Sequence, residues 1–186
     1  MKIDPLTAID FYKADHRRQY PEGTEYVYSN WTPRSDHLYT QSLTDFDHKV
    51  VFFGLQGFMK WFLQDLWHDN FFALPKDFVL ARYKHRMDTS LGPDAFPLDH
   101  IADLHDLGYL PLLIKAVPEG SRVNIRVPMM TIRNTDPKFF WLVNYLESVM
   151  SSDLWKGCTN ATIAYEYKRL LDTFAERTGA DPFFPS

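Results

Sequence analysis

The chain has 186 residues, 45% hydrophobic and 24% charged. That is the composition of one globular domain, or of one domain and part of another, and it excludes a disordered chain. The 20 Lys and Arg against 24 Asp and Glu give a formal charge of −4, which argues against broad charge-driven binding to nucleic acid. One cysteine, Cys158, excludes an intramolecular disulfide; with no secretory signal and no apolar run of membrane-spanning length, a cytoplasmic protein is expected.

A first helix is expected from Pro5 to about Gln19, followed by a turn at Pro21-Glu22-Gly23. Residues Tyr26 to Trp31 are rich in strand formers, and the polar segment from Thr32 to Asp47 reads as a loop. Phe52, Leu55, Met59, Phe62 and Leu66 recur at helical spacing; Gly54 and Gly57 there are tolerable if a neighbouring backbone packs close. Helices are expected from Pro75 to Arg86 and from Pro97 to Leu107, the second closed by Gly108.

Leu112 to Val117 reads as a strand ended by Pro118-Glu119-Gly120. Val123, Ile125 and Val127 alternate with polar residues as in a half-buried strand, and Pro128 marks an edge or bulge where the apolar phase slips to Met130 and Ile132. Asn134-Thr135-Asp136-Pro137 is the clearest helix start, with Asp136 as N-cap and Pro137 in the first turn. That helix is expected to reach about Met150. Another runs from about Ala161 to Thr178, with Ile163, Tyr167, Leu170, Leu171 and Phe174 on one face and Gly179 closing it. Helices and strands mix without strict alternation, so the fold class is α+β. Phe183 and Phe184 near the end hint at a continuation or a partner chain.

No Gly-rich phosphate loop and no CxxC or HExxH metal motif occurs. Cys158 reads as a small buried filler. Asp99, His100, Asp103, His105 and Asp106 form one acidic and histidine cluster, but on a helix His105 points about 140° away from His100, so a solvated polar face outweighs a metal site. The segment from Ile9 to Pro21 mixes aromatic rings with Lys13, His16, Arg17 and Arg18. It is either an amphipathic helix with a solvated basic face or a platform where a tyrosine stacks on a ligand and cations hold its phosphate. Arg34 is a second candidate anion contact, or an ordinary surface arginine.

Asp10-Phe11-Tyr12-Lys13, His16 and Gln19-Tyr20-Pro21 resemble the N-terminal signature of the nicotinamide phosphoribosyltransferase family. So do Val51 to Gln56, Leu110-Pro111, Ile114 to Gly120, and Asn134 to Pro137 followed by Trp141-Leu142, in order along nearly the whole chain. The resemblance implies transfer of a phosphoribosyl group from phosphoribosyl pyrophosphate to nicotinamide, with Mg²⁺ as the ion and ATP hydrolysis coupled to it. It implies a type II phosphoribosyltransferase fold: an α+β N-terminal domain over residues 1–150 and the first helices of an incomplete α/β barrel over residues 151–186. It also implies a head-to-tail homodimer with shared active sites.

By match, Tyr12 is the ring that stacks on nicotinamide from a partner subunit, and Arg34 contacts phosphate across the interface. Asp10, Lys13 and His16 lie in the matched signature as supporting residues. A small polar residue usually stands where this chain has Phe11. In the family most catalytic groups follow the position of Ser186, so the chain alone is expected not to turn over. Two other readings are a non-catalytic module that pairs with a full-length subunit, and the corresponding part of a nicotinate phosphoribosyltransferase.

Overall fold

The computed structural model describes residues 3–37 and 46–181. The terminal phenylalanines Phe183 and Phe184, and part of the loop expected between Thr32 and Asp47, lie outside the described residues. Five strands are described: β1 (Tyr28–Trp31), β2 (Lys49–Val51), β3 (Leu112–Ala116), β4 (Arg122–Asn124) and β5 (Met130–Asn134). The helices are α1 (His16–Gln19), α2 (Leu55–Phe58), α3 (Lys76–Leu91), α4 (Asp99–Leu107), α5 (Leu142–Tyr145) and α6 (Glu147–Thr178). Short 3₁₀ turns cover Phe11–Ala14 and Pro137–Phe139. This is the expected α+β mixture. One sheet has the order β1-β5-β3; β2 and β4 pair antiparallel, with Val50 opposite Val123.

The chain forms two compact units, each drawn from three separated segments. The first comprises Met1–Ser29, Gln56–Lys115 and Thr131–Ser151. Its core is rich in aromatic side chains, among them Phe62, Trp67, Phe71, Tyr83 and Tyr145. In α3, Val79, Tyr83 and Met87 are buried four residues apart, a single helical stripe. In α4, Ile101 and Leu104 are buried, and Gly108 ends the helix in the left-handed conformation. The buried Asn134 amide ties this unit together. It accepts from the Val27 N–H at 2.8 Å and donates to the carbonyls of Glu25 (2.8 Å) and Asp136 (2.9 Å).

The second unit comprises Asn30–Leu55, Ala116–Met130 and Ser152–Ser186. Here Thr162 of α6 accepts from the Val51 N–H at 3.0 Å, and its hydroxyl donates to the Cys158 carbonyl at 2.7 Å. Cys158 is buried beside the Phe53 peptide, and burial raises its thiol pKa. It is the packed filler that the sequence suggested.

Several expected elements differ. The first helix is instead a turn, the 3₁₀ turn Phe11–Ala14 and the single turn of α1, because Asp10 stays extended at φ −63°, ψ 129°. After α2 the chain winds as π-helix over Met59–Leu66 and His68–Phe72. The wider turn buries Phe58, Phe62, Trp67 and Phe71 and leaves Met59 and Leu66 only half-buried. The strand expected to reach Val127 stops at Asn124, because residues 124–127 form a tight turn with Arg126 at φ 67°. There is no separate helix from Ala161. α6 runs unbroken for 32 residues, and its Gly157 sits where a side chain would collide with Phe53.

Candidate functional site

Tyr12 stands on the 3₁₀ turn of the first unit. The Lys13 N–H donates to the Asp10 carbonyl at 2.8 Å and the Asp15 N–H to the Tyr12 carbonyl at 3.1 Å. Four residues cannot present one face inward without presenting the other outward. Lys13 and Ala14 are buried, while Phe11 and Tyr12 are 40% and 58% exposed. The Tyr12 ring lies 5.1 Å from the His16 ring at 54°, and the Lys13 ammonium is 5.2 Å from its centroid.

Two adjacent residues at the start of α6 anchor this turn. Lys13, only 5% exposed, is ion-paired with Glu147. The Asp10 N–H donates to the Ser148 hydroxyl at 3.0 Å, and that hydroxyl donates to the Asp10 carboxylate at 2.7 Å. The Tyr12 hydroxyl reaches the same carboxylate at 3.4 Å. Asp10, Tyr12, Lys13 and His16 are therefore brought together. Glu147 and Ser148 were not singled out from sequence. The available signal was a lysine between Phe11-Tyr12 and Ala14, an apolar setting that calls for a buried partner.

The other cations of this segment already have partners. Arg17 donates to Asp99 at 3.0 Å, and Arg18 donates to Asp15 at 2.6 Å. Hydrogen bonds from Gln19 and Arg18 lower the Asp15 pKa. The phosphate-holding part of the platform reading therefore finds no free cation in Arg17 or Arg18. Arg34 belongs to the second unit, on the loop after β1, and is exposed.

The acidic and histidine cluster is dispersed. Asp99 pairs with Arg17, Asp103 with Lys138 and Asp106 with Lys76, while His105 donates to the Leu74 carbonyl at 2.9 Å. His100 is buried edge-on against Trp141, and burial, with Arg17 nearby, lowers its pKa to about 4. Among the described residues no group of three or more His, Cys, Asp or Glu is placed to hold a metal ion. No helix is long and apolar enough to cross a membrane among the described residues. A cleft of about 300 Å³ opens between the π-helical segment and β3, lined by Met59, Leu63, Phe72, Tyr109 and Ile114 among others. None of the sequence-predicted site residues lines it.

Residues 4–114 match the family described as nicotinamide phosphoribosyltransferase, N-terminal domain. The chain is 64% identical over 179 residues to a nicotinamide phosphoribosyltransferase of Acinetobacter baylyi, covering 96% of this chain and 35% of the relative. It is 32% identical over 181 residues to one of Xanthomonas campestris, covering 95% and 34%. A Mycoplasma pneumoniae relative of the same description is 29% identical over 193 residues, covering 96% and 41%. The chain thus spans about a third of the length of the first two of these curated relatives and two-fifths of the third.

Proposed function

Because the chain belongs to the nicotinamide phosphoribosyltransferase family, we propose that it serves as the N-terminal part of an enzyme that joins nicotinamide to the ribosyl carbon of phosphoribosyl pyrophosphate. The products are nicotinamide mononucleotide and pyrophosphate, a salvage step toward NAD. The observation that carries this reading is the outward Tyr12 ring on a turn anchored twice to α6.

The chemistry explains the use of such a ring. As pyrophosphate departs, the ribosyl carbon gains positive character while the pyridine nitrogen attacks it. Catalysis then rests on holding the flat base in line and on neutralising phosphate charge. An aromatic face positions the pyridine and favours the cationic pyridinium product. The Lys13–Glu147 and Asp10–Ser148 contacts fix the direction of the Tyr12 ring before the base arrives. Arg34 is the phosphate contact in this proposal. His16 supports the ring from the side.

In the proposal, Tyr12 and Arg34 each serve an active site completed by a second subunit, and the remaining catalytic groups lie on polypeptide corresponding to the other two-thirds of the relatives. Residues 1–150 act as an N-terminal domain and residues 151–186 as the start of a barrel. Mg²⁺ accompanies the diphosphate substrate. The described residues offer it no fitting donor set: Asp10 is engaged by Ser148 and Glu147 by Lys13. No metal ligand and no role in ATP coupling is therefore assigned to this chain.

The test is reconstitution. The chain alone, with nicotinamide, phosphoribosyl pyrophosphate and Mg²⁺, should form no nicotinamide mononucleotide. Adding the separately expressed remainder of a relative should restore turnover. In that mixture Tyr12→Ala should weaken nicotinamide binding by about 1–3 kcal/mol, the order for losing an aromatic stack on a base, and Tyr12→Phe should retain most of it. An unchanged KM for nicotinamide in Tyr12→Ala would remove Tyr12 from the site.

A further inference from the structure

Four β-turns among the described residues place their third residue at positive φ. Two use glycine: Gly23 (φ 80°), closed by the Thr24 N–H on the Pro21 carbonyl, and Gly120 (φ 88°), closed by the Ser121 N–H on the Pro118 carbonyl. A third, closed by the Ala95 N–H on the Gly92 carbonyl at 3.4 Å, has Asp94 at φ 56°, a short polar residue that tolerates the left-handed region. The fourth, closed by the Val127 N–H on the Asn124 carbonyl at 3.2 Å, has Arg126 at φ 67°. That position favours Gly or Asn, and a long side chain there is held against local preference. An arginine needed only for solubility can stand at any unstrained surface position.

The turn is fixed against the loop that carries Arg34. The Arg126 N–H donates to the Pro33 carbonyl at 2.9 Å, so residue 126 abuts the peptide that joins Pro33 to Arg34. Beside it the Ile125 N–H donates to the His48 carbonyl at 3.0 Å. The nearby carboxylate, Asp36, is bound by the His48 ring. Its pKa is lowered mainly by that hydrogen bond, with the charge of Arg126 contributing. Arg34 and Arg126 are both exposed, and neither forms an ion pair with a described residue.

We propose that Arg126 joins Arg34 in one anion-binding site of the second unit, which takes a phosphate or diphosphate group of the phosphorylated substrate. The proposal rests on the reading of Arg34 given above. Each planar guanidinium can donate two parallel hydrogen bonds to phosphate oxygens, and two such forks suit a multiply charged diphosphate better than one. The backbone bonds at Pro33 and His48 hold the two residues near each other before the anion arrives, which reduces the ordering cost of binding.

The experiment is calorimetric titration of the purified chain with inorganic pyrophosphate. Wild-type chain should bind it saturably. Arg126→Gly removes the guanidinium and suits the turn, so its Tm should be no lower, yet its affinity should fall about 10-fold or more, the scale of a lost charge-assisted contact. Arg126→Lys should fall less. No saturable binding by the wild-type chain, or wild-type affinity in Arg126→Gly, overturns the site. Arg34→Ala in parallel reports on the underlying reading by itself: if it weakens binding while Arg126→Gly does not, Arg126 is dropped and Arg34 stands.

Discussion

Lys13 and Tyr12 are neighbours with opposite fates, and their difference comes from the tight 3₁₀ turn rather than from their chemistry alone. The sequence placed both in a signature with His16, but the spacing of cations in that segment by itself favoured a solvated basic face. Only the long-range partners, Glu147 and Ser148, decide which side chain turns inward. His100 shows the same point and carries a pH prediction. It is buried, with its pKa lowered from 6.5 to about 4, chiefly by burial and then by Arg17, while Asp99 and Asp103 oppose the shift. Between those two values the unfolded chain binds a proton that the folded chain excludes. Stability is therefore full above about pH 6.5 and declines as pH falls toward 4, by up to about 3 kcal/mol. Urea unfolding at a series of pH values, wild type against His100→Gln, isolates this share. Parallel pH curves for the two would show that His100 titrates normally.

Element boundaries were legible wherever a local signal fixes them. Asp136 accepts from the Lys138 N–H at 2.9 Å ahead of Pro137, Gly108 closes α4, and both Pro-x-Gly segments are turns. The winding inside elements was not legible. A window with a period of 3.6 residues fits Leu55, Met59, Phe62 and Leu66, whereas a π-helix substitutes Trp67 for Leu66, a choice driven by burying the larger ring. Gly54 and Gly57 had one shared expectation and turn out differently. A Cβ on Gly54 would meet the Gly157 backbone at 3.7 Å, and one on Gly157 would stand 2.7 Å from the Phe53 carbonyl oxygen. At Gly57 there is nothing within 4 Å. The same substitution should therefore have opposite signs. Gly57→Ala should stabilise by about 0.5–1 kcal/mol through helix propensity. In Gly157→Ala that gain is outweighed by a clash with a fixed backbone oxygen, and a net loss of about 1–3 kcal/mol is expected. Thermal unfolding of both variants checks this; stabilisation by Gly157→Ala would show that α6 and the Phe53 peptide do not approach as described.

At the scale of the chain, the two units are interleaved in sequence, and that was beyond reading because it depends on pairs such as Val51 with Thr162, 111 residues apart. The apolar stripe of the last helix was read correctly as a stripe, but its environment was not. Ile163, Tyr167, Leu170, Leu171 and Phe174 recur at helical spacing and are all exposed, while Cys158, Thr162 and Glu166 of the same helix are buried. The buried side of the helix contains a carboxylate, Glu166, bonded to Arg169 at 2.9 Å with Arg122 4.0 Å away. After Met150 and Leu154, which are buried, packing of α6 is thus carried partly by polar contacts, and the larger hydrophobic side chains from Ile163 to Phe174 stay exposed. A contiguous exposed stripe of this kind favours association over a dispersed monomer, and a net charge of −4 opposes it only weakly. The purified chain should therefore self-associate in a concentration-dependent way. Leu170→Glu with Leu171→Lys, which leaves net charge unchanged, should shift light scattering toward monomer without loss of helix signal. If wild type and double variant scatter alike as monomers over the same concentrations, the stripe is not adhesive and the exposed face of α6 has no bearing on assembly.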